Sequence, residues 1–211
     1  MRTNVKKMRA FADWTGSSGK RIFRKYYTAA GKIRNIQLLL KKIKDGEYNV
    51  PQSFTDWLES MLHQLKFEWQ KKYDKKEIKK RLRALKKLIH DHKHKSNSIK
   101  FAKDKNDKIA SLKNVRPLSD DQIHSGRKTL KEIDYLNKWE NKKSDEGMKK
   151  ISDETGQFMD SISAIELLEQ YIEMEKNETN RNAANELLAT WKKNKEEEKI
   201  KILNSMISLP D

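Results

Sequence analysis

At 211 residues, with 47 Lys/Arg against 31 Asp/Glu, the chain carries a formal net charge of +16. It has no cysteine, which excludes disulfides, thiolate metal sites and a cysteine nucleophile, and no run approaches the ~18 apolar residues of a membrane span. Apolar residues reach 35% and charged residues 37%, so the core is thin or completed by a partner, while five Trp, six Tyr and six Phe exclude wholesale disorder.

With only three Pro and seven Gly, and apolar residues recurring at helical spacing, the expected fold class is all-α, with six to seven helices. The basic stretch up to Phe11 lacks the extended amphipathic Arg/Ser pattern of a presequence, so no cleaved targeting segment is expected. Ser17 and Ser18 are predicted to cap a first helix running to about Asp45. Its seam, Ile22, Tyr26, Ala29, Ile33, Ile36, Leu40 and Ile43, steps by fours and threes as in a coiled coil. Gly46 stands where a C-terminal cap belongs.

After a short link, Phe54, Trp57, Leu58, Met61, Leu62, Leu65 and Trp69 predict a second, antiparallel helix. Asp74 and Glu77 have capping-box spacing ahead of a third seam, Ile78, Leu82, Leu85 and Ile89; one unbroken helix to His90 is the alternative. Residues 93–118 read as a basic linker or mobile loop with one short helix around Lys108–Leu112.

Ser119 and Gln122 form a second capping box, opening a helix to about Asn141 that Gly126 interrupts. A fifth helix is expected over about Thr155–Lys176, and it is the candidate for the most buried one. It carries Phe158, Ile162, Ile165, Leu168 and Ile172 on one face and Leu167, Tyr171 and Met174 on another. Two final helices, about Arg181–Asn194 and Lys195–Leu209, close the chain, the last through Ile200, Leu203, Met206 and Ile207. The predicted organisation is a basic helical unit over 1–92, the linker over 93–118, and a bundle over 119–211.

Charge follows an uneven course along this plan. Residues 1–150 hold 40 Lys/Arg against 18 Asp/Glu, whereas residues 151–211 hold 7 against 13. A basic body with an acidic end suits a polyanion binder or a protein that pairs head to tail. On a helical wheel the first helix sets Lys20, Arg24, Arg34 and Lys42 roughly opposite its seam, with Arg21, Lys25 and Lys32 flanking. The third sets Lys76, Lys80, Arg83 and Lys87 opposite its seam, with Lys79 and Lys86 beside them. Such arrays suit phosphate backbone, because each neutralised phosphate releases condensed counterion. Tyr27, which projects towards the first basic cluster, is a candidate for stacking on a base.

Other motifs fall short of a chemistry. His90 and His94 stand one turn apart, but Lys93 and Lys95 repel a cation and no third ligand is near, so no metal and no cofactor are expected. The run from Thr15 to Arg21 fails the phosphate-loop pattern: two residues rather than four separate its glycines, and Arg21 replaces Ser/Thr. Asp160-Ser161-Ile162, followed by Ile165 to Leu168, resembles the segment at which acyl carrier proteins receive phosphopantetheine. That resemblance implies Ser161 as the modified residue. Met159 departs from the usual Gly, and a helix start before an apolar stripe accounts for the same letters. No nucleophile elbow or H-E-x-x-H is present.

The expected function is therefore non-enzymatic: an intracellular, nucleic-acid-associated protein gripping phosphate through Lys20, Arg21, Arg24, Lys25, Arg34, Lys76, Lys79, Lys80, Arg83 and Lys87. The acidic C-terminal bundle would make protein contacts. The alternative is a scaffold, capsid-accessory or inhibitor protein acting through helix–helix contacts with a protein partner or with its own copies.

Overall fold

The computed structural model describes residues 6, 7, 10, 24–92, 98–113, 118–140, 142, 143 and 145–208. Among them every regular element is a helix: α1 (Arg24–Lys44), α2 (Gln52–Lys72), α3 (Lys75–His92), α4 (Ser98–Lys113), α5 (Asp120–Trp139), α6 (Glu146–Met174) and α7 (Glu178–Ile207). No helix of the described residues is long and apolar enough to cross a membrane. The helices group into two compact units interleaved in sequence, whereas the sequence reading divides the chain end to end. One comprises residues 1–27, 73–156 and 202–211, the other 28–72 and 157–201.

The second unit is built from α1, α2 and the greater parts of α6 and α7. Its core joins Ile36 and Leu39 of α1, Phe54 and Leu58 of α2, Ala164, Ile165, Leu168 and Tyr171 of α6, and Ala184 and Trp191 of α7. Phe54 is fully buried, with the rings of Trp57, Tyr171 and Trp191 at 6.0, 5.2 and 6.5 Å. α1 ends in a Schellman turn. Glu47 N–H donates to the Lys42 carbonyl at 2.9 Å and Gly46 N–H to that of Ile43 at 3.1 Å. Gly46 takes φ +78°, a left-handed conformation that costs other L-residues ~1–2 kcal/mol.

At the α6–α7 turn, the Tyr171 hydroxyl donates to Glu175 (2.5 Å) and lies 2.6 Å from the Ser53 hydroxyl of α2. Glu175 also accepts from Asn177 N–H, and Asn177 Oδ1 caps α7 through Asn180 N–H. These donors, Tyr171 first, hold the Glu175 carboxyl below the usual carboxylate range.

In the first unit, α4 packs on α5, burying Ile109 and pairing Lys105 with Glu132. Ile123, Leu130, Ile133 and Leu136 of α5, Ile151 of α6, and Ile202 and Met206 of α7 are buried in the same unit. The Ser119–Gln122 capping box closes in both directions. Gly156 leaves room for the Arg127 guanidinium; a Cβ there would meet it at 3.3 Å.

Several expectations change. The segment read as a linker holds α4, because Ile109 and the stem of Lys105 give a sparse apolar face that α5 covers. Gly126 is buried inside an unbroken α5. α6 starts at Glu146 rather than near Thr155, since Asp145 caps it by accepting from Met148 N–H at 2.7 Å. Ser161 consequently sits half-buried in mid-helix, neither at a helix start nor in the setting the carrier resemblance implied. α7 runs unbroken through residues 194 and 195, where no Gly or Pro stops it. It buries Ile202 and Met206, leaving Ile200 and Ile207 exposed. Met174 is also exposed, while Tyr171, on the same expected face, is buried.

The break after α2 is real. Asp74 accepts from Lys76 N–H at 2.9 Å, but Glu77 turns to Arg81 rather than closing a box. Helix α6 buries more side chains than any other among the described residues, as its two apolar faces foretell.

Phe54→Ala removes the ring around which the second unit packs and is expected to destabilise it by about 3–5 kcal/mol. Urea denaturation followed by tryptophan fluorescence measures this; a loss below about 1 kcal/mol would contradict the core assignment.

Candidate nucleic-acid interface

The two expected basic faces fare differently. On α1, Arg34 pairs with Asp160 at 3.7 Å, beside a hydrogen bond from Asn35 Nδ2 to Ser163 Oγ at 3.0 Å. Lys42 lies over the Tyr48 ring at 5.4 Å and pairs with Glu47 at 3.6 Å. Burial alone would lower the Lys42 pKa, but Tyr48, Glu47 and Asp160 outweigh it and the ammonium is raised. These cations are occupied within the second unit. Lys20 and Arg21 lie outside the described residues, and Arg24 and Lys25 fall in the first turn of α1.

Helix α3 keeps its cations in solvent. Lys76, Lys79, Lys80, Arg83, Lys86 and Lys87 are all exposed, and none has an ion-pair partner among the described residues. The one acid of its first turn, Glu77, is drawn off this face by Arg81, whose Nε donates to it at 2.7 Å. Arg81 in turn lies over the Tyr26 ring at 5.6 Å, and Tyr26 packs on Tyr73 at 4.7 Å. Hydrogen bonding to Glu77, above all, raises the Arg81 pKa further. With Ile78 buried below, the helix is held by one side and presents the other. Tyr26 belongs to this packing, as its seam position implies, and Tyr27 is half-buried.

Sequence reasoning passed over the Glu77–Arg81 pair, although its i,i+4 spacing was a legible signal. Nor does local sequence reveal which basic face is spent on ion pairs, because Arg34 finds its partner far along the chain, at Asp160.

Grouping by unit sharpens the charge asymmetry. The first unit holds 32 Lys/Arg against 16 Asp/Glu, and the second 15 against 15, so the entire excess of +16 belongs to the first. The acidic C-terminal residues do not form an acidic bundle of their own. Most join α1 and α2 in a neutral unit, with pairs such as Lys192–Glu169 at 2.7 Å.

The positive field registers at His124 of α5. Burial first, then Lys128 and Arg127, lower its pKa, against a weaker pull from Asp121.

Among the described residues, one small cavity of about 10 Å³ lies between α1 and α6 around Asn35, Lys42 and Ser163, and another of about 10 Å³ between α5 and α6 around Asp134, Asn137 and Ser152. Among the described residues no cluster of three His, Asp or Glu is placed to hold a metal. His94 lies outside them. No known protein family, curated protein or solved structure matches the chain.

His124 is expected to titrate below the ordinary histidine range in a ring-proton NMR titration. A lowered folded-state pKa means its protonation opposes folding, so stability falls as pH drops below about 6.5. Lys128→Glu should move the titration upward; an unmoved midpoint would contradict a local positive field.

Proposed function

We propose that this chain is a non-enzymatic, nucleic-acid-associated protein whose basic unit grips phosphate backbone through the outer face of α3. The observation that carries the reading is that face: six exposed cations, without ion-pair partners among the described residues, on one helix of the unit holding the whole charge excess. Surface charges near an acid of opposite sign are largely satisfied, as on α1. Cations kept clear of acids attract a polyanion, and their free energy on binding comes from released counterions. Lys20, Arg21, Arg24 and Lys25 fall in the same unit and add to its cationic charge. Arg34 belongs to the neutral unit and drops out of the proposed contact set.

The neutral unit supports a second reading, in which protein contacts or self-association matter most. There Phe67, Met174 and Ile200 stand 51%, 66% and 58% exposed, apolar side chains that a protein partner or a second copy would cover.

Titrating the protein into a fluorescent oligonucleotide at several salt concentrations separates the two. Six phosphate contacts on B-form DNA predict log K falling against log salt with a slope of about −5. Replacing Lys76, Lys80, Arg83 and Lys87 together by Gln should flatten the slope by about 3 to 4, whereas Arg34→Gln with Lys42→Gln should leave it unchanged. Failure to bind near physiological salt, with a discrete oligomer in light scattering, would overturn the first reading and favour the second.

A further inference from the structure

The order in which the α3 cations stand around the helix carries the reading further. At 3.6 residues per turn the six occupy an arc of about 120°, in the angular order Lys86, Lys79, Arg83, Lys76, Lys87, Lys80. Arg83 is the middle of this arc, and lysines flank it on both sides. Along the axis, positions 76 to 87 cover about 16 Å. Arg83 is also the only guanidinium on the face, since Arg81 is turned to Glu77 and Tyr26.

We infer that α3 seats in the major groove of double-stranded DNA, with Arg83 directed at the groove floor and the flanking lysines reaching the two opposed backbones; this rests on the phosphate-binding reading above. Three matters of fit support it. A helix with side chains is ~10–12 Å across and enters a groove ~12 Å wide, while the minor groove, about 6 Å wide, refuses it. The A-form duplex of RNA buries its major groove too deeply for side chains to enter. Single strands are ordinarily held by aromatic side chains that stack on bases, and from Lys75 to Lys87 the helix contains no aromatic residue.

A central arginine with lysine margins also matches the division of labour in groove recognition. Lysine contacts a phosphate as a point charge, while arginine's planar fork meets the O6 and N7 of guanine in two parallel hydrogen bonds. The face offers no amide or hydroxyl between positions 76 and 87, so base reading by this helix is confined to guanine, with Arg83 at the centre of the arc best placed for it. The outcome is a backbone binder with a single-residue bias towards G·C pairs, rather than a reader of an extended site.

The test uses the full chain and three probes of matched sequence: a short DNA duplex, the corresponding RNA duplex and one DNA strand. Anisotropy near 0.1 M salt should show the DNA duplex bound at least about tenfold more tightly than the RNA duplex. Guanine N7 atoms should be protected from dimethyl sulfate. Arg83→Lys, which keeps the charge but not the planar fork, should weaken that protection while total affinity changes by less than about threefold, because phosphate contacts dominate it.

Equal affinity for the two duplexes, preference for the single strand, or unprotected guanines would overturn the groove assignment and leave phosphate binding standing. Binding to none of the three probes would overturn the phosphate-binding reading itself. Far-ultraviolet circular dichroism of the Arg83→Lys variant, expected to match the parent, separates lost contact from lost helix.

Discussion

Everything in the neutral unit converges on the aromatic cluster around Phe54. A chain with so many charged side chains has few apolar groups to spend, and it spends them as large rings that bury much surface per residue. Phe54 reaches Trp57 on its own helix, Tyr171 on α6 and Trp191 on α7, while Tyr48 from the α1–α2 link closes on Trp191 at 4.8 Å. The polar edge of the cluster is satisfied rather than discarded. Tyr171 passes its hydroxyl to Glu175, and Glu175 fixes the turn that begins α7. One buried ring thus sets the packing of four helices, and one hydroxyl at its margin sets where the last of them starts.

With that core in place, the charges sort themselves by availability of partners. In the neutral unit Asp160 of α6 lies where Arg34 of α1 needs it, and Lys192 of α7 finds its partner at Glu169 of α6. In the basic unit there are half as many acids as cations, and Glu77, in the first turn of α3, is claimed by Arg81. Tyr26 holds Arg81 in place by lying under its guanidinium. The exposed lysines of α3 therefore persist because of a neighbouring pair: Glu77 is withdrawn from the surface it would otherwise neutralise. A buried apolar residue, Ile78, and a stacked tyrosine together decide how much bare charge the helix shows.

Helix periodicity and local caps were the legible part. The seam of α1 from Tyr26 on, the stripe of α2, the Gly46 stop and the Ser119–Gln122 box depend on residues within a few positions of each other and stand as the spacing implies, whereas Ile22 and the Ser17–Ser18 cap lie outside the described residues. What escaped was of two kinds. Helices with few apolar residues, α4 and the first turns of α6, are stabilised by what packs on them or by a single cap such as Asp145, and their own letters look like linker. Charge partners distant in sequence escaped as well. Nothing near Arg34 announces Asp160, and nothing near Gly156 announces Arg127, whose guanidinium lies against the glycine. Of the candidate interface, α3 could be read from its wheel. The demotion of α1 required knowing which helix faces it.

The basic unit is assembled from residues 1–27, 73–156 and 202–211, and it buries Ile202 and Met206 near the end of the last helix. Contacts of such long sequence separation form late, because the loop-closure entropy must be met before they contribute. On the ribosome, then, the cationic unit stays incomplete until residues 202–208 have been made, while its lysine-rich segments emerge earlier. Until residues 202–208 join it, the unit's lysine-rich segments meet the polyanions of the translation machinery as a loose, positively charged polymer.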